Sequence, residues 1–539
     1  MKIPCRRVML AACLAAGLAA LMAAGPALQA QAPTPSVVDP ELVVRTVASG
    51  FVTPVNLAFI GKNDMLVLEK NTGRVLRVVD GVVQSTVLDL AVNFASERGL
   101  LGIALHPDFR HNHAVYLYWT CAAPPPADPL MPSLRECPDT PELGADTNNI
   151  LAVPLLGNRV DRFLWDGSAL TFDRNIIKLR SFQNDVTNGA PRGNHNGGVI
   201  VFAPRRHEDD ADDDHDDDDG DHEGDDGRAT LFIQMGDNGR RGQMQNLVNG
   251  PFGPGVPDDQ FGGPAPDDAH LTGVILRVND DGSAPKDNPF FRHGAEMGGE
   301  VGANIQKVFA YGIRNGFGMS IDPVSGDLWE QENGDDSFSE LNRVEPGMNS
   351  GWVQIMGPVS RIQQYKEIET SPPFFGLQQV RWPPTNIADS PAEALSRLFV
   401  LPGSHYSVPE FAWKFEVSPG GIGFVGGNGL GRKYRNDLIM GGARPTLQGG
   451  HLFRFKLTGD RRNVAVTDPR LNDHVADNLA KFDITESESL LFGRNFGTIT
   501  SIRTGPDGTL YLASIDHGNI YQIARRARGG ESKPAQLVR

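Results

Sequence analysis

Gly193-Asn194-His195-Asn196-Gly197-Gly198 sets one imidazole between two amides, with glycines on both sides and an apolar strand sequence directly after it. An imidazole with a pKa near neutrality can take a proton from a hydroxyl group, which makes His195 a candidate general base. Glycines at a loop–strand junction let a backbone or a ligand approach closely. A structural or solvent-facing histidine fits the same hexapeptide. The strand sequence ending at Met235 runs into Gly236-Asp237-Asn238-Gly239, a turn by composition. Arg240 and Arg241 follow, a pair that can clamp an anion through bidentate hydrogen bonds. Arg314-Asn315 stands just ahead of another strand sequence. From Gln331 to Asn342, acids and amides collect at spacings that suit Ca²⁺, with Asp335, Asp336 and Glu340 as candidate ligands; a solvated acidic turn fits them as well. Serine nucleophile elbows, paired zinc-binding histidines, P-loops and dinucleotide-binding glycine patterns do not occur in suitable contexts.

Such residues need a scaffold, and the chain repeats one. An apolar strand, a turn and a second strand recur at 56–60 and 65–68, at 102–109 and 114–118, and at 198–204 and 230–235. The unit returns at 318–323 and 327–329, at 422–425 and 437–440, and at 501–508 and 509–512. Each alternates at period two and turns on Pro, Asp and Gly, the pattern of a β-hairpin. A third strand often follows, as at 73–78 and 518–523. Six hairpin units with few helical patterns between them predict an all-β chain: a six-bladed β-propeller with long inter-strand loops over residues 45–525. Two packed β domains meeting near Trp382-Pro383-Pro384 are the alternative. In a propeller the loops carry function, and a hairpin tip tolerates an insertion such as 207–226.

Composition agrees with one large all-β unit. The 539 residues include 61 Gly and 39 Pro, enough for many turns and too few for a low-complexity chain. A 40% hydrophobic share supports a core and excludes collagen, coiled coil and wholesale disorder. After residue 30 no apolar run nears the roughly 18 residues of a spanning helix, so no membrane span is expected. Before it, Lys2, Arg6 and Arg7 precede an apolar stretch and a small-residue segment ending at Ala30. Residues 1–30 read as a signal peptide and 31–44 as a linker, which makes the protein periplasmic or secreted. A lipobox ending at Cys13 is the competing reading, with too few residues after Arg7 to form its apolar segment. Cys121 and Cys137 then remain as an even pair in an oxidising compartment, expected to form a structural disulfide across a Pro-rich loop. Net charge is −16, yet residues 207–226 alone hold 14 acids, so the acidity belongs to an insert. That insert is expected to stay disordered and solvated, or to hold divalent cations weakly. A nucleic-acid partner is disfavoured on this balance, and residues 526–539 form a basic tail.

Further motifs appear in order along the chain. They are Glu97-Arg98-Gly99-Leu100-Leu101-Gly102-Ile103-Ala104-Leu105-His106-Pro107-Asp108-Phe109, Asn194 to Gly198, Gly236 to Gly239, Gly273 to Ser283, Asp287-Asn288-Pro289-Phe290, Tyr311 to Asn315, and Asn349-Ser350-Gly351-Trp352. Together they resemble the soluble glucose/sorbosone dehydrogenase family of periplasmic six-bladed propellers, also called aldose sugar dehydrogenases. The resemblance implies a pyrroloquinoline quinone (PQQ) cofactor supported by Ca²⁺ over the central axis, a sugar or alcohol substrate and an external electron acceptor. It implies that His195 takes the proton of the anomeric hydroxyl while hydride passes to the quinone, and that Arg240 polarises the quinone oxygen. Glu97, Asn194, Arg241, Arg314 and Asn315 fall among the implied cofactor contacts. The family's Arg-x-Arg pair before the last Pro-Asp-Gly turn is Thr498 and Thr500 here, and its cofactor-contacting lysine aligns with Gln448. Three cations are thus replaced by neutral side chains, each a charge-assisted contact of about 1.5–3 kcal/mol. A quinone-less propeller acting as an extracellular binding module, and a calcium-dependent hydrolase, are the other functional readings.

Overall fold

Among the described residues, alternating apolar and polar residues pair into six sheets of four or more strands. The structure is a computed structural model and describes residues 34–121, 157–179, 181, 186–187, 190–191, 194–204, 228–238, 271–373, 385, 387–443 and 449–527. The first sheet runs Pro54–Gly61 (β1), Asp64–Glu69, Arg74–Val79 and Val82–Asp89, each strand antiparallel to the one before. Leu100–Leu105 (β2) opens the second sheet and Ile200–Phe202 (β3) the third. Gly318–Ile321 (β4), Pro419–Phe424 (β5) and Ile499–Thr504 (β6) open the remaining three. These opening strands touch one another in chain order, and β6 returns to β1, so they close a circuit from which the other strands of each sheet lead away. The fold is an all-β propeller.

Closure comes from the N-terminal side. Leu42–Ser49 pairs antiparallel with Asn519–Arg525 and completes the sixth sheet. Ser36–Val37 pairs with Gly493 and Arg494 at the edge of the fifth. The segment expected as a linker to residue 44 therefore carries strand from Ser36, because Leu42 and Ala48 find apolar cover on the last sheet. Neighbouring sheets meet through apolar faces. Leu101, Tyr116, Ile233 and Leu276 fill one seam, and Val425, Leu452, Ile502 and Leu512 another. Burying a side chain of this size contributes about 1.5–3 kcal/mol.

Several connections carry helices, among them Phe291–Met297 and Gly299–Ile305. Between Met348–Asn349 and Phe411–Phe415 the chain forms a helix, Ile362–Thr370 (α1), which buries Ile362, Tyr365, Ile368 and Glu369 on one face. Among the described residues no helix is long and apolar enough to cross a membrane. The signal segment 1–30, Cys137, the acidic tract 207–226, Arg240, Arg241, Trp382-Pro383-Pro384, Gln448 and residues 528–539 lie outside the described residues.

Candidate active site

β3 pairs antiparallel with Thr230–Met235, so the residues before β3 and those after Met235 leave the sheet together at one end. There His195 holds a left-handed backbone, φ 54°. Gly197, φ 62°, lies so close to the neighbouring strand that a Cβ would stand 2.3 Å from the Gln234 carbonyl oxygen. Only glycine fits such a position without strain. The result is a hydrogen bond of 2.6 Å between His195 Nδ1 and Asp237 Oδ1. The other Asp237 oxygen accepts the Trp352 indole N–H at 2.7 Å. His195 and Asp237 are both buried. An ionised carboxylate only accepts, which assigns the imidazole proton to Nδ1 and leaves the Nε2 lone pair for a hydroxyl donor. Among the described residues nothing hydrogen-bonds Nε2.

Residues from two other sheets complete the cluster. Glu97, just ahead of β2, accepts the His195 main-chain N–H at 2.6 Å and Asn315 Nδ2 at 3.1 Å, both on Oε2. Asn194 accepts Ser96 Oγ at 2.7 Å from the same loop. Beneath it Lys70 Nζ donates to Asn71 Oδ1 and to the Phe94 and Ser96 carbonyls. Burial lowers that ammonium to about 8, against the pull of Glu97. Arg314, ahead of β4, accepts the Asp237 main-chain N–H at 2.9 Å and carries its guanidinium 5.3 Å over the Trp352 ring. Burial opposes that charge, but surrounding acids led by Asp335 and Asp237 outweigh it and hold the guanidinium above its ordinary pKa. Among the described residues, buried Arg314 Nε and Asn315 Oδ1 lack hydrogen-bond partners, an unused donor and an unused acceptor.

The structure therefore gathers His195, Glu97, Asn194, Arg314 and Asn315 at one end of the opening strands. Arg240, expected to be the polarising cation, lies outside the described residues; among the described residues Arg314 is the arginine whose carbonyl meets Asp237, the partner of His195. Thr498 and Thr500 stand at the entry to β6 and bond within their own sheet. The Thr498 N–H donates to Asp516 Oδ2 at 2.9 Å, and Thr500 Oγ1 lies 3.4 Å from the Ala513 carbonyl. Asp237 and Trp352 are the partners that sequence reasoning did not single out. Both fall in motifs already noted, the Gly-Asp-Asn-Gly turn and Asn349 to Trp352, and turn composition alone does not announce an imidazole partner.

The three carboxylates expected to share a calcium ion divide into two groups. Asp335 and Asp336 meet Glu369 of α1, one oxygen from each lying within 4.8 Å of the others. Glu340 turns elsewhere, accepting the Gly357 N–H at 2.5 Å and Asn342 Nδ2 at 3.1 Å. Asn342 Nδ2 also reaches Glu330 Oε1 at 2.8 Å, and Ser350 Oγ donates to Glu332 at 3.1 Å. Gln234 Nε2 donates to Glu330 from the neighbouring sheet at 2.9 Å. Burial first, then mutual repulsion, pushes Glu330 up to about 8 and Glu332 well above the ordinary carboxylate range. Burial also pushes Glu340 up to about 7.

A propeller that carries an aspartate-oriented histidine at the entry to its opening strands is the class this geometry defines. The chain matches the Glucose / Sorbosone dehydrogenase family over residues 51–207 and 222–395, and it belongs to that family. An uncharacterized protein of Synechocystis, slr1608, is 28% identical over 406 residues, 71% of this chain and 74% of that protein. Quinoprotein glucose dehydrogenase B of Acinetobacter calcoaceticus is 25% identical over 320 residues, 58% of this chain and 52% of that one. The match thus spans about half the length of the Acinetobacter protein. The crystal structure of the soluble aldose sugar dehydrogenase of Escherichia coli in its apo-form shares the fold at a TM-score of 0.54 and 20% identity, with 90% of this chain and all of that one covered.

Proposed function

We propose that this chain is an exported, PQQ-dependent sugar dehydrogenase in which His195 removes the proton of a sugar hydroxyl. The observation that carries the reading is the 2.6 Å bond from His195 Nδ1 to the buried Asp237 carboxylate, with Nε2 left for the substrate. Asp237 fixes the tautomer and offsets the charge that appears on the ring as the proton arrives. Trp352 holds that carboxylate from its other oxygen, and Glu97 ties the His195 backbone to Asn315. The Acinetobacter relative is a quinoprotein, which supports PQQ within the family. When bound, the quinone accepts the hydride from the carbon that bears the hydroxyl. Asn194, Asn315 and Arg314 would hold it, and the unpartnered Arg314 Nε and Asn315 Oδ1 fit a polar ligand. The six sheets in closed contact order support a ring of six blades. Export rests on the N-terminal pattern, and an oxidised Cys121–Cys137 pair would accord with it.

One observation favours a second reading, a propeller that binds ligands without the quinone. Thr498 and Thr500 bring no charge to a tricarboxylate cofactor. Titrating purified protein with PQQ, followed by dye reduction with aldoses, separates the two. The dehydrogenase binds quinone at micromolar concentration and turns over, and His195→Ala keeps the fold while losing turnover. Thr498→Arg with Thr500→Arg should then tighten the quinone roughly ten- to a hundredfold per contact, before ordering costs. Absence of quinone binding in the wild type leaves the binding module as the function.

A further inference from the structure

The loop after Leu328–Glu332, together with Glu369 of α1, presents hard oxygen donors of the kind that Ca²⁺ takes: the carbonyls of Asn333, Gly334 and Asp335 and the carboxylates of Asp335, Asp336 and Glu369. Nearly all of them face cationic side chains of the chain itself. Arg314 Nη1 donates to the Asn333 carbonyl at 2.8 Å and the Gly334 carbonyl at 2.7 Å, while Nη2 reaches Asp335 Oδ1 at 3.1 Å. Lys481 Nζ donates to the Asp335 carbonyl at 2.9 Å and to Asp336 Oδ1 at 2.6 Å. Glu369 Oε1 is taken by the Asp336 and Ser337 N–H groups and by Ser337 Oγ, at 3.2, 3.0 and 2.6 Å. Among the described residues nothing hydrogen-bonds Glu369 Oε2. A divalent ion wants six to eight oxygens at about 2.3–2.6 Å, and with three carbonyls and three carboxylate oxygens already engaged the loop does not supply them.

We propose that the cation of this centre is built into the chain, Arg314 and Lys481 occupying the oxygens that a resident Ca²⁺ would require. Calcium, implied by the family resemblance, does not fit this loop as it stands. Arg314 is the buried member of the pair and also interacts with Asp237, the partner of His195, so the loop and the Asp237 carboxylate share one fixed positive charge. Lys481 arrives from the long connection before the last strand of the fifth sheet, and its side chain is 28% exposed. It is therefore the member whose loss would open the donors to an ion from solution. The inference rests on the family reading for its mention of calcium, but its test reads metal content and stability, not turnover.

Wild-type protein is dialysed against EDTA, and its calcium content and thermal midpoint are measured with and without excess CaCl₂. A parallel sample replaces 207–226 with a Gly-Ser linker, so that weak binding by the acidic tract is not mistaken for binding at this loop. The wild type should retain no stoichiometric calcium and should show the same midpoint in EDTA and CaCl₂. Lys481→Met frees the Asp335 carbonyl and Asp336 Oδ1, and should acquire a calcium-dependent rise of about 2–4 °C. Lys481→Arg should not. Calcium retained by the linker-bearing protein, with a midpoint that EDTA lowers and Asp336→Asn makes insensitive, overturns the proposal. So does a Lys481→Met protein that folds and ignores calcium. Should that variant not fold, the linker-bearing protein decides alone: retained calcium that Asp336→Asn abolishes refutes the built-in cation, and a midpoint unchanged between EDTA and CaCl₂ upholds it.

Discussion

Asp237 sets which nitrogen of His195 is free, and that dependence can be measured. In Asp237→Asn the amide can donate to Nδ1, which moves the imidazole proton to Nε2 and leaves no lone pair for the substrate. Turnover in dye reduction should fall by about 10²–10⁴-fold, the usual range for a lost general base. Quinone affinity and thermal midpoint should change far less. A variant that turns over normally would remove Asp237 from the mechanism. At this scale the sequence was informative about residue types and silent about partners. His195 stood out because an imidazole among amides and glycines is chemically conspicuous. Asp237 did not, because its meeting with His195 across 42 residues depends on the pairing of β3 with Thr230–Met235. Arg314 was visible before a strand, yet nothing in the one-dimensional pattern ranked it above Arg240. Glu369 reaches Asp336 from a helix 33 residues away, which no local pattern announces.

The two strands Leu328–Glu332 and Ser337–Val344 pack three glutamates inward, and this makes their stability depend on pH. Glu330 and Glu340 are raised from 4.5 to about 8 and about 7, so the folded protein keeps protons that the unfolded chain has released. That contribution is fully present below about pH 4.5 and is lost as pH rises toward 8, at up to about 1.4 kcal/mol per pH unit for one group. Urea unfolding at intervals between about pH 5 and 8 should therefore show falling stability. Glu330→Gln, which cannot ionise, should flatten the decline. A wild-type curve that is level or rising over this range would mean the glutamates are compensated in some way the hydrogen bonds do not reveal. The hairpins themselves were legible: 318–323 with 327–329 and 501–508 with 509–512 lie where local alternation put them. The buried acids were not, since period two puts Glu330 and Glu332 on one face without saying which face is covered. Their partners Gln234, Asn342 and Ser350 come from three separate segments.

The whole ring depends on Leu42–Ser49. This strand gives Asn519–Arg525 its outer partner and buries Leu42 and Ala48. A chain starting after Ser49 would present an unpaired edge on the last sheet, a template for pairing with another molecule. Size-exclusion chromatography should show oligomers or aggregates, and the thermal midpoint should fall; a monomer of unchanged midpoint would contradict the role assigned to the strand. Closure was the least legible feature of the fold. A hairpin announces itself through its own turn, whereas Leu42–Ser49 has no neighbour in sequence to pair with and was read in part as a linker. The same pairing also sets a delay. At synthesis rates of about 5–20 residues per second, the strand exists for roughly 20–100 s before its partner has been made. Until then the growing chain carries a loose end that must neither find a wrong sheet nor be cut away. The ring can be finished only once, after its last strand arrives.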